Sequence, residues 1–263
     1  TFVMVKESLS FVGPFTFLFY RFSLSFLLLI AISMKKLRKI NIYVTKYGIL
    51  IGIFLFSGYG FQTVGLQYTT PASAGFITGL SVVIVPFLSM ALLKKRPGKN
   101  SLLGVLCAFL GLLFLSFQQL RMNYGDFLVL LCAFSFAMHI VLVGKFAPFN
   151  DPFLLTTVQI GTVAGLSFLF RKEQDIILNS TVLEALIITA LFATVMAFLI
   201  QNIAQRSTPP TRTAVIFAME PVFAAVSSFV LIHEVFTLRK IIGCLLILSG
   251  MVITEMKREN SSV

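Results

Sequence analysis

The chain is poor in charge. Only 12% of its 263 residues are Asp, Glu, Lys or Arg, against 57% hydrophobic residues. A soluble domain of this length could not cover its surface with so little polar material. Cysteine is scarce as well: Cys107, Cys132 and Cys244 all lie inside apolar runs, which gives no disulfide framework. With two histidines and no close Cys/His grouping, no metal site is expected. The chain has no phosphate-binding loop and no nucleophile elbow. Its three aspartates, Asp126, Asp151 and Asp175, fall in loops or at the ends of apolar runs, which excludes an intramembrane aspartyl dyad. These absences argue against an enzyme, against a bound cofactor and against a self-contained ATP-driven pump.

What fills the chain instead is apolar. The mean hydropathy is +0.96, and apolar runs of about 20 residues recur along the whole length, as in helices that span a bilayer. Strands of a membrane barrel would be shorter and would alternate in polarity. The net charge of +11 does not mark a nucleic-acid partner, because the bases cluster in short loops between apolar runs. Lys35-Lys36-Leu37-Arg38-Lys39 and Lys94-Lys95-Arg96 are examples, and such placement sets membrane topology. The expected partners are the lipid bilayer and a small-molecule substrate; a homodimer is left open.

The chain also says the same thing twice. A step of 139 residues carries Gln62 onto Gln201, Pro71 onto Pro210, Gly104 onto Gly243 and Gly111 onto Gly250. A step of 138 carries Pro14-Phe15 onto Pro152-Phe153. A duplicated apolar block is the signature of many secondary transporters.

After a partial first helix, the expected spans are Pro14–Met34, Tyr47–Gln67, Ala72–Leu93, Ser101–Leu120, Phe127–Lys145, Pro152–Phe170, Leu183–Gln205, Thr211–Ile232 and Ile241–Met256. The counterpart of the first helix in the second half, Phe127–Lys145, has further residues upstream, so most of that helix is expected to be missing here, and no cleavable signal peptide is expected. The fold class read from the sequence is all-α integral membrane, ten transmembrane helices in two five-helix repeats, 1–120 and 121–263. Placing both termini in the cytoplasm puts fourteen Lys and Arg inside against six outside, as the positive-inside tendency requires. Five spans per half would insert the second copy upside down, the inverted arrangement that supports alternating access. Gly48/Gly52, Gly75/Gly79 and Gly161/Gly165 are four apart, a spacing that lets helices pack closely.

Several segments together resemble the drug/metabolite transporter superfamily, in particular its ten-helix proteins with paired EamA domains. They are Phe19-Tyr20-Arg21-Phe22, Thr69-Thr70-Pro71-Ala72-Ser73-Ala74-Gly75-Phe76, Met219-Glu220-Pro221-Val222, His233-Glu234, and Gly243 with Gly250. The resemblance implies transport of amino acids, sugar derivatives, drugs or other small metabolites across the cytoplasmic membrane, mostly outward. One departure is visible: the family usually has a Glu after the fourth span, where this chain has Lys95, opposite Glu234. The rival reading is a non-transporting polytopic scaffold or sensor.

Charge inside a span is costly and needs a partner or water. Arg21 and Glu220 are the two strongly charged residues placed deep. Arg21 sits about 10 Å from one end of its span and Glu220 about 14 Å from the opposite end of its own, so both reach the middle of a core about 30 Å thick. They either line a central cavity, with Arg21 holding a substrate carboxylate, or form a fixed structural pair. Pro221 predicts a bend at Glu220, and Pro86 a similar one in the fourth span. Gln62 and Gln201 bind substrate or glue helices together. Tyr59 stacks on substrate or faces lipid, and His139 titrates near neutral pH or is a packing residue. The candidate substrate-binding residues are thus Arg21, Tyr59, Gln62, His139, Gln201 and Glu220.

Overall fold

Helix starts are written plainly in the sequence. Proline occupies the first turn of the helices that begin at Pro14, Pro71, Pro152 and Pro210, where its missing N–H costs nothing. Side-chain caps mark others. Asn41 accepts from the Val44 amide at 3.0 Å, and Asn123 forms a reciprocal box with Asp126. Asp151 accepts from Phe153 at 2.9 Å and Asn179 from Val182 at 2.9 Å. Each satisfies an amide that the helix itself leaves free.

The computed structural model describes residues 2–94, 96–116, 123–171, 179–223 and 237–256. The proposed Lys95–Glu234 correspondence, His233, and the loop charges Arg121, Lys172, Glu173, Asp175, Lys257 and Arg258 lie outside them. Among the described residues the chain is helical throughout, with no strand. The helices are α1 (Phe2–Ser8), α2 (Pro14–Ser33), α3 (Ile42–Gly65), α4 (Pro71–Gly79), α5 (Ser81–Leu93), α6 (Lys99–Ser116), α7 (Tyr124–Phe146) and α8 (Pro152–Phe170). Then come α9 (Ser180–Ala190), a π-helical turn (Leu191–Met196), α10 (Ala197–Ala204), α11 (Pro210–Phe217), a helical turn at 220–223 and α12 (Leu238–Glu255).

Six stretches are long and apolar enough to cross a membrane: Pro14–Ser33, Ile42–Gly65, Pro71–Leu93, Tyr124–Phe149, Pro152–Phe170 and Ser180–Ala204. Lys99–Leu115 is a shorter apolar helix. The boundaries follow the sequence expectation within a few residues.

Helices pack here by close approach, since lipid gives little apolar drive for association. The tightest seam joins α6 to α12. A Cβ on Gly104 would lie 2.6 Å from the Gly250 carbonyl, and one on Gly111 would lie 2.6 Å from the Gly243 carbonyl. No side chain fits at either crossing. The two contacts exchange under the 139-residue step, which carries Gly104 to Gly243 and Gly111 to Gly250. Gly48 and Gly52 meet Val158 and Thr162 of α8, and Gly161 meets Phe26 of α2, whereas Gly165 has nothing within 4 Å. The glycine spacing therefore serves packing at most of these positions.

Polar contacts pin the helix ends. Lys36 pairs with Asp151 at 3.0 Å and Arg212 with Glu255 at 3.8 Å. At the other end of α7, Asp126 accepts from Thr69 and Ser73, and Lys6 donates to the Thr69 carbonyl. Partial burial pushes the Asp151 carboxyl up. The hydrogen bond from Lys36, the Leu154 and Phe153 amides and the Lys36 charge outweigh it, so the group lies below the ordinary value of 3.8.

Candidate functional site in the centre of the bundle

Two spans depart from the regular α-helix for a turn at matching places, with Leu80 and Ala218 still in right-handed helical geometry. α4 ends at Gly79 and α5 resumes at Ser81; α11 ends at Phe217, and the helix resumes at Glu220 after a turn at Ala218 and Met219. Leu80 and Met219 are 139 residues apart. The second break fits the expectation from Pro221, whose missing N–H leaves the Phe217 carbonyl without its partner one turn back. The first does not fall at Pro86, which lies inside the continuous helix α5. It follows Gly79, whose helix preference is low. Broken helices near the middle of a membrane are where transporters expose backbone and charge to cargo.

Arg21 is buried, 4% exposed, and is held by the π-helical turn. Its Nε donates to Thr194 Oγ1 at 2.9 Å, and its Nη2 donates to the Ala193 carbonyl at 3.2 Å and to Tyr59 Oη at 3.3 Å. The Tyr59 ring lies 4.6 Å from the guanidinium carbon, a cation–π contact. A π turn opens the helical hydrogen-bond ladder and so leaves carbonyls available to such a donor. Thr194 in turn donates to the Thr189 carbonyl at 2.9 Å. One turn along α2, Ser25 reaches the Ala190 carbonyl at 3.2 Å. The guanidinium is thus shared between α2, α3 and the π-helical turn.

Glu220 is placed differently. It is exposed, while its neighbours Ala218, Met219 and Val222 are buried. It interacts electrostatically with Arg21 of α2, Tyr59 of α3 and Cys132 of α7, so it faces the interior of the bundle. Arg21 and Glu220 do not form an ion pair within 4.0 Å among the described residues. The fixed pair considered from the sequence does not form.

Beside them, Gln62 donates to Thr78 Oγ1 at 3.3 Å, and Cys132 Sγ lies 3.9 Å from the same hydroxyl. Arg21 and Tyr59 are thus in contact, Gln62 and Cys132 meet at Thr78, and Glu220 is linked to Arg21, Tyr59 and Cys132 only through electrostatics. The other two candidates make separate contacts elsewhere. His139 Nε2 and Gln159 Oε1 are 2.9 Å apart, and Phe198 links His139 to Tyr59 through ring contacts of 5.5 and 6.2 Å. Gln201 spends its amide on Gln205 at 2.8 Å, which bonds the Ile140 carbonyl at 2.9 Å. That is the gluing role.

Sequence reasoning missed Thr194, Thr78, Cys132 and Gln159. Gln159 had a signal: the 138-residue step that carries Pro14 onto Pro152 carries Arg21 onto Gln159. Among the described residues no group of three or more His, Cys, Asp or Glu is arranged to hold a metal ion.

The sequence profile of the EamA-like transporter family matches residues 1–117 and 123–256. The chain belongs to the EamA-like transporter family. An "Uncharacterized transporter" of Archaeoglobus fulgidus is 36% identical over 259 residues, covering 98% of this chain and 82% of that protein. The "Uncharacterized transporter YyaM" of Bacillus subtilis is 26% identical, covering 95% and 87%. A solved structure titled "Crystal structure of protein" superposes with a TM-score of 0.77 at 21% identity, covering 97% of this chain and 92% of that one, so the fold is shared. An EamA-family chain with several apolar helices of spanning length is a multi-span membrane transporter.

Proposed function

We propose that the protein is a secondary transporter that moves small metabolites outward across the cytoplasmic membrane by alternating access. In this reading ten transmembrane helices form two inverted five-helix repeats, 1–120 and 121–263, with both termini cytoplasmic. The exchange of the Gly104–Gly250 and Gly111–Gly243 contacts under the 139-residue step supports a twofold relation between the halves. The paired breaks at Leu80 and Met219 support it too. Cargo binds beside Glu220, against Tyr59 and Gln62, with Arg21 behind Tyr59. His139 borders the site from the second half through Phe198, and Gln201 braces the helices behind it.

The observation that carries this reading is the accessible Glu220 carboxylate at the break of α11, within electrostatic reach of three other helices. Charge held inside a membrane bundle and open to solvent marks a solute path. A scaffold or sensor would have no use for such an opening. The test is a metabolite comparison of cells with and without the gene. Transport predicts a discrete set of solutes that accumulates inside when the gene is removed. Identical internal and external pools would overturn it.

A further inference from the structure

The two deep charges are not equally available, and the difference bears on the charge of the cargo. Arg21 is buried at 4% exposure. Its Nε and Nη2 already donate to Thr194, Ala193 and Tyr59, and the rings of Tyr59 and Phe22 lie 4.6 and 5.2 Å from its guanidinium carbon. An incoming anion would have to displace those contacts. Glu220 is exposed, makes no ion pair within 4.0 Å among the described residues, and opens a helical segment beside a break. An exposed carboxylate that no described Lys or Arg approaches within 4.0 Å attracts cations and repels anions. Its neighbours extend the argument. Gln62, Thr78 and Cys132 offer uncharged polar atoms.

We infer that the cargo group recognised at the centre of the bundle is a positively charged nitrogen, a protonated amine or quaternary ammonium on an apolar body, and that Glu220 is its counter-ion. A carboxylate on the cargo is not required. Arg21 then acts as a wall of the site, balancing Glu220 when the cavity is empty and holding Tyr59 in place. This rests on the reading of the cavity as the cargo site.

The experiment has a binding arm and a flux arm. In the first, thermal unfolding of the purified protein is followed with benzyltrimethylammonium and with benzenesulfonate, two small aromatic ions of opposite charge, at millimolar concentration. A ligand that binds only the folded state raises the midpoint. The ammonium is expected to stabilise the wild type. Glu220→Gln should require at least about tenfold more of it for the same shift, and Glu220→Asp, which keeps the charge, should retain most of the response. Benzenesulfonate should stabilise none of the three. Stabilisation by benzenesulfonate, an equal ammonium response in the wild type and Glu220→Gln, or no ammonium response in the wild type would overturn the assignment.

In the second arm, vesicles carrying the protein and a mixed metabolite pool are assayed for protein-dependent efflux. Solutes bearing a cationic nitrogen should leave, and benzyltrimethylammonium should slow them. Efflux confined to anions without such a group would overturn the assignment while upholding transport. Glu220-dependent ammonium binding without any protein-dependent efflux would uphold the assignment and remove transport.

Discussion

Arg21 donates from Nε to Thr194 Oγ1 at 2.9 Å, across 173 residues of sequence. The bond ties the second span to a π-helical turn in the opposite half of the chain. It also fixes the guanidinium under Tyr59. Hydrogen bonds to a charged group contribute about 1.5–3 kcal/mol. Thr194→Val, which keeps the shape and loses the hydroxyl, is therefore expected to lower stability by about 2 kcal/mol, and Thr194→Ser by much less. Thermal unfolding of the purified variants checks this. Phenylglyoxal labelling of Arg21 should rise in Thr194→Val alone.

The same contrast separates the two deep charges. Arg21→Met strips three hydrogen bonds and a ring contact from a buried position and should cost about 3 kcal/mol or more. Glu220→Gln changes a side chain already in contact with solvent and should shift stability by about 0.5 kcal/mol or less. Parallel unfolding curves for the two variants decide it. Equal destabilisation would mean that Glu220 has a protein partner after all.

Much of this arrangement was legible in the sequence. Pro71 and Pro210 announced matching helix starts, and the repeated Gly104 and Gly111 announced a close seam. Arg21 and Glu220 stood out because charge is rare inside a span. What could not be read was register within helices. No residue type forces the π-helical turn at Leu191–Met196, so the grip of Thr194 and Ala193 on Arg21 was invisible. Pro86 lies inside α5, and the irregular turn at Leu80, after Gly79, was not foreseen. Glu220 and Arg21 were expected to meet or to share a cavity. Only side-chain geometry could distinguish an arginine already engaged from a glutamate left open.

The α6–α12 seam makes a sharper prediction. A Cβ at Gly250 would lie 2.7 Å from the Gly104 carbonyl and 3.1 Å from the Ala108 amide nitrogen. Those are backbone atoms, so the helices must separate. Gly250→Leu is expected to cost about 3 kcal/mol or more through overpacking, while Gly165→Ala, with nothing within 4 Å, should be tolerated. Yield and melting temperature of the two variants in the same detergent measure the difference.

Lys36 and Asp151 give a pH-dependent effect of known sign. The folded-state carboxyl lies below its ordinary value of 3.8, so its contribution is present above that value and is lost as pH falls through the folded one. Both side chains are partly exposed, 42% and 36%, so the pair contributes at most about 1 kcal/mol. Asp151→Asn should melt slightly below the wild type at pH 7, and the gap should narrow as pH falls below 3.8. A gap that does not change with pH would assign the effect to the helix cap instead.

The proposed orientation, with both termini cytoplasmic, rests on the placement of Lys and Arg. In a background lacking Cys107, Cys132 and Cys244, a cysteine at Lys36 or Lys94 should resist an impermeant thiol reagent in intact cells, and one at Asn179 should react. The reverse pattern would invert the topology.

The central claim is that solute crosses the membrane through the space beside Glu220. Efflux from vesicles loaded with a mixed metabolite pool, compared between the wild type and a correctly inserted, stable Glu220→Gln variant, tests it most directly. The account predicts protein-dependent loss of a discrete set of solutes from wild-type vesicles, slowed at least about tenfold by the substitution. Normal efflux of every solute by Glu220→Gln would contradict it.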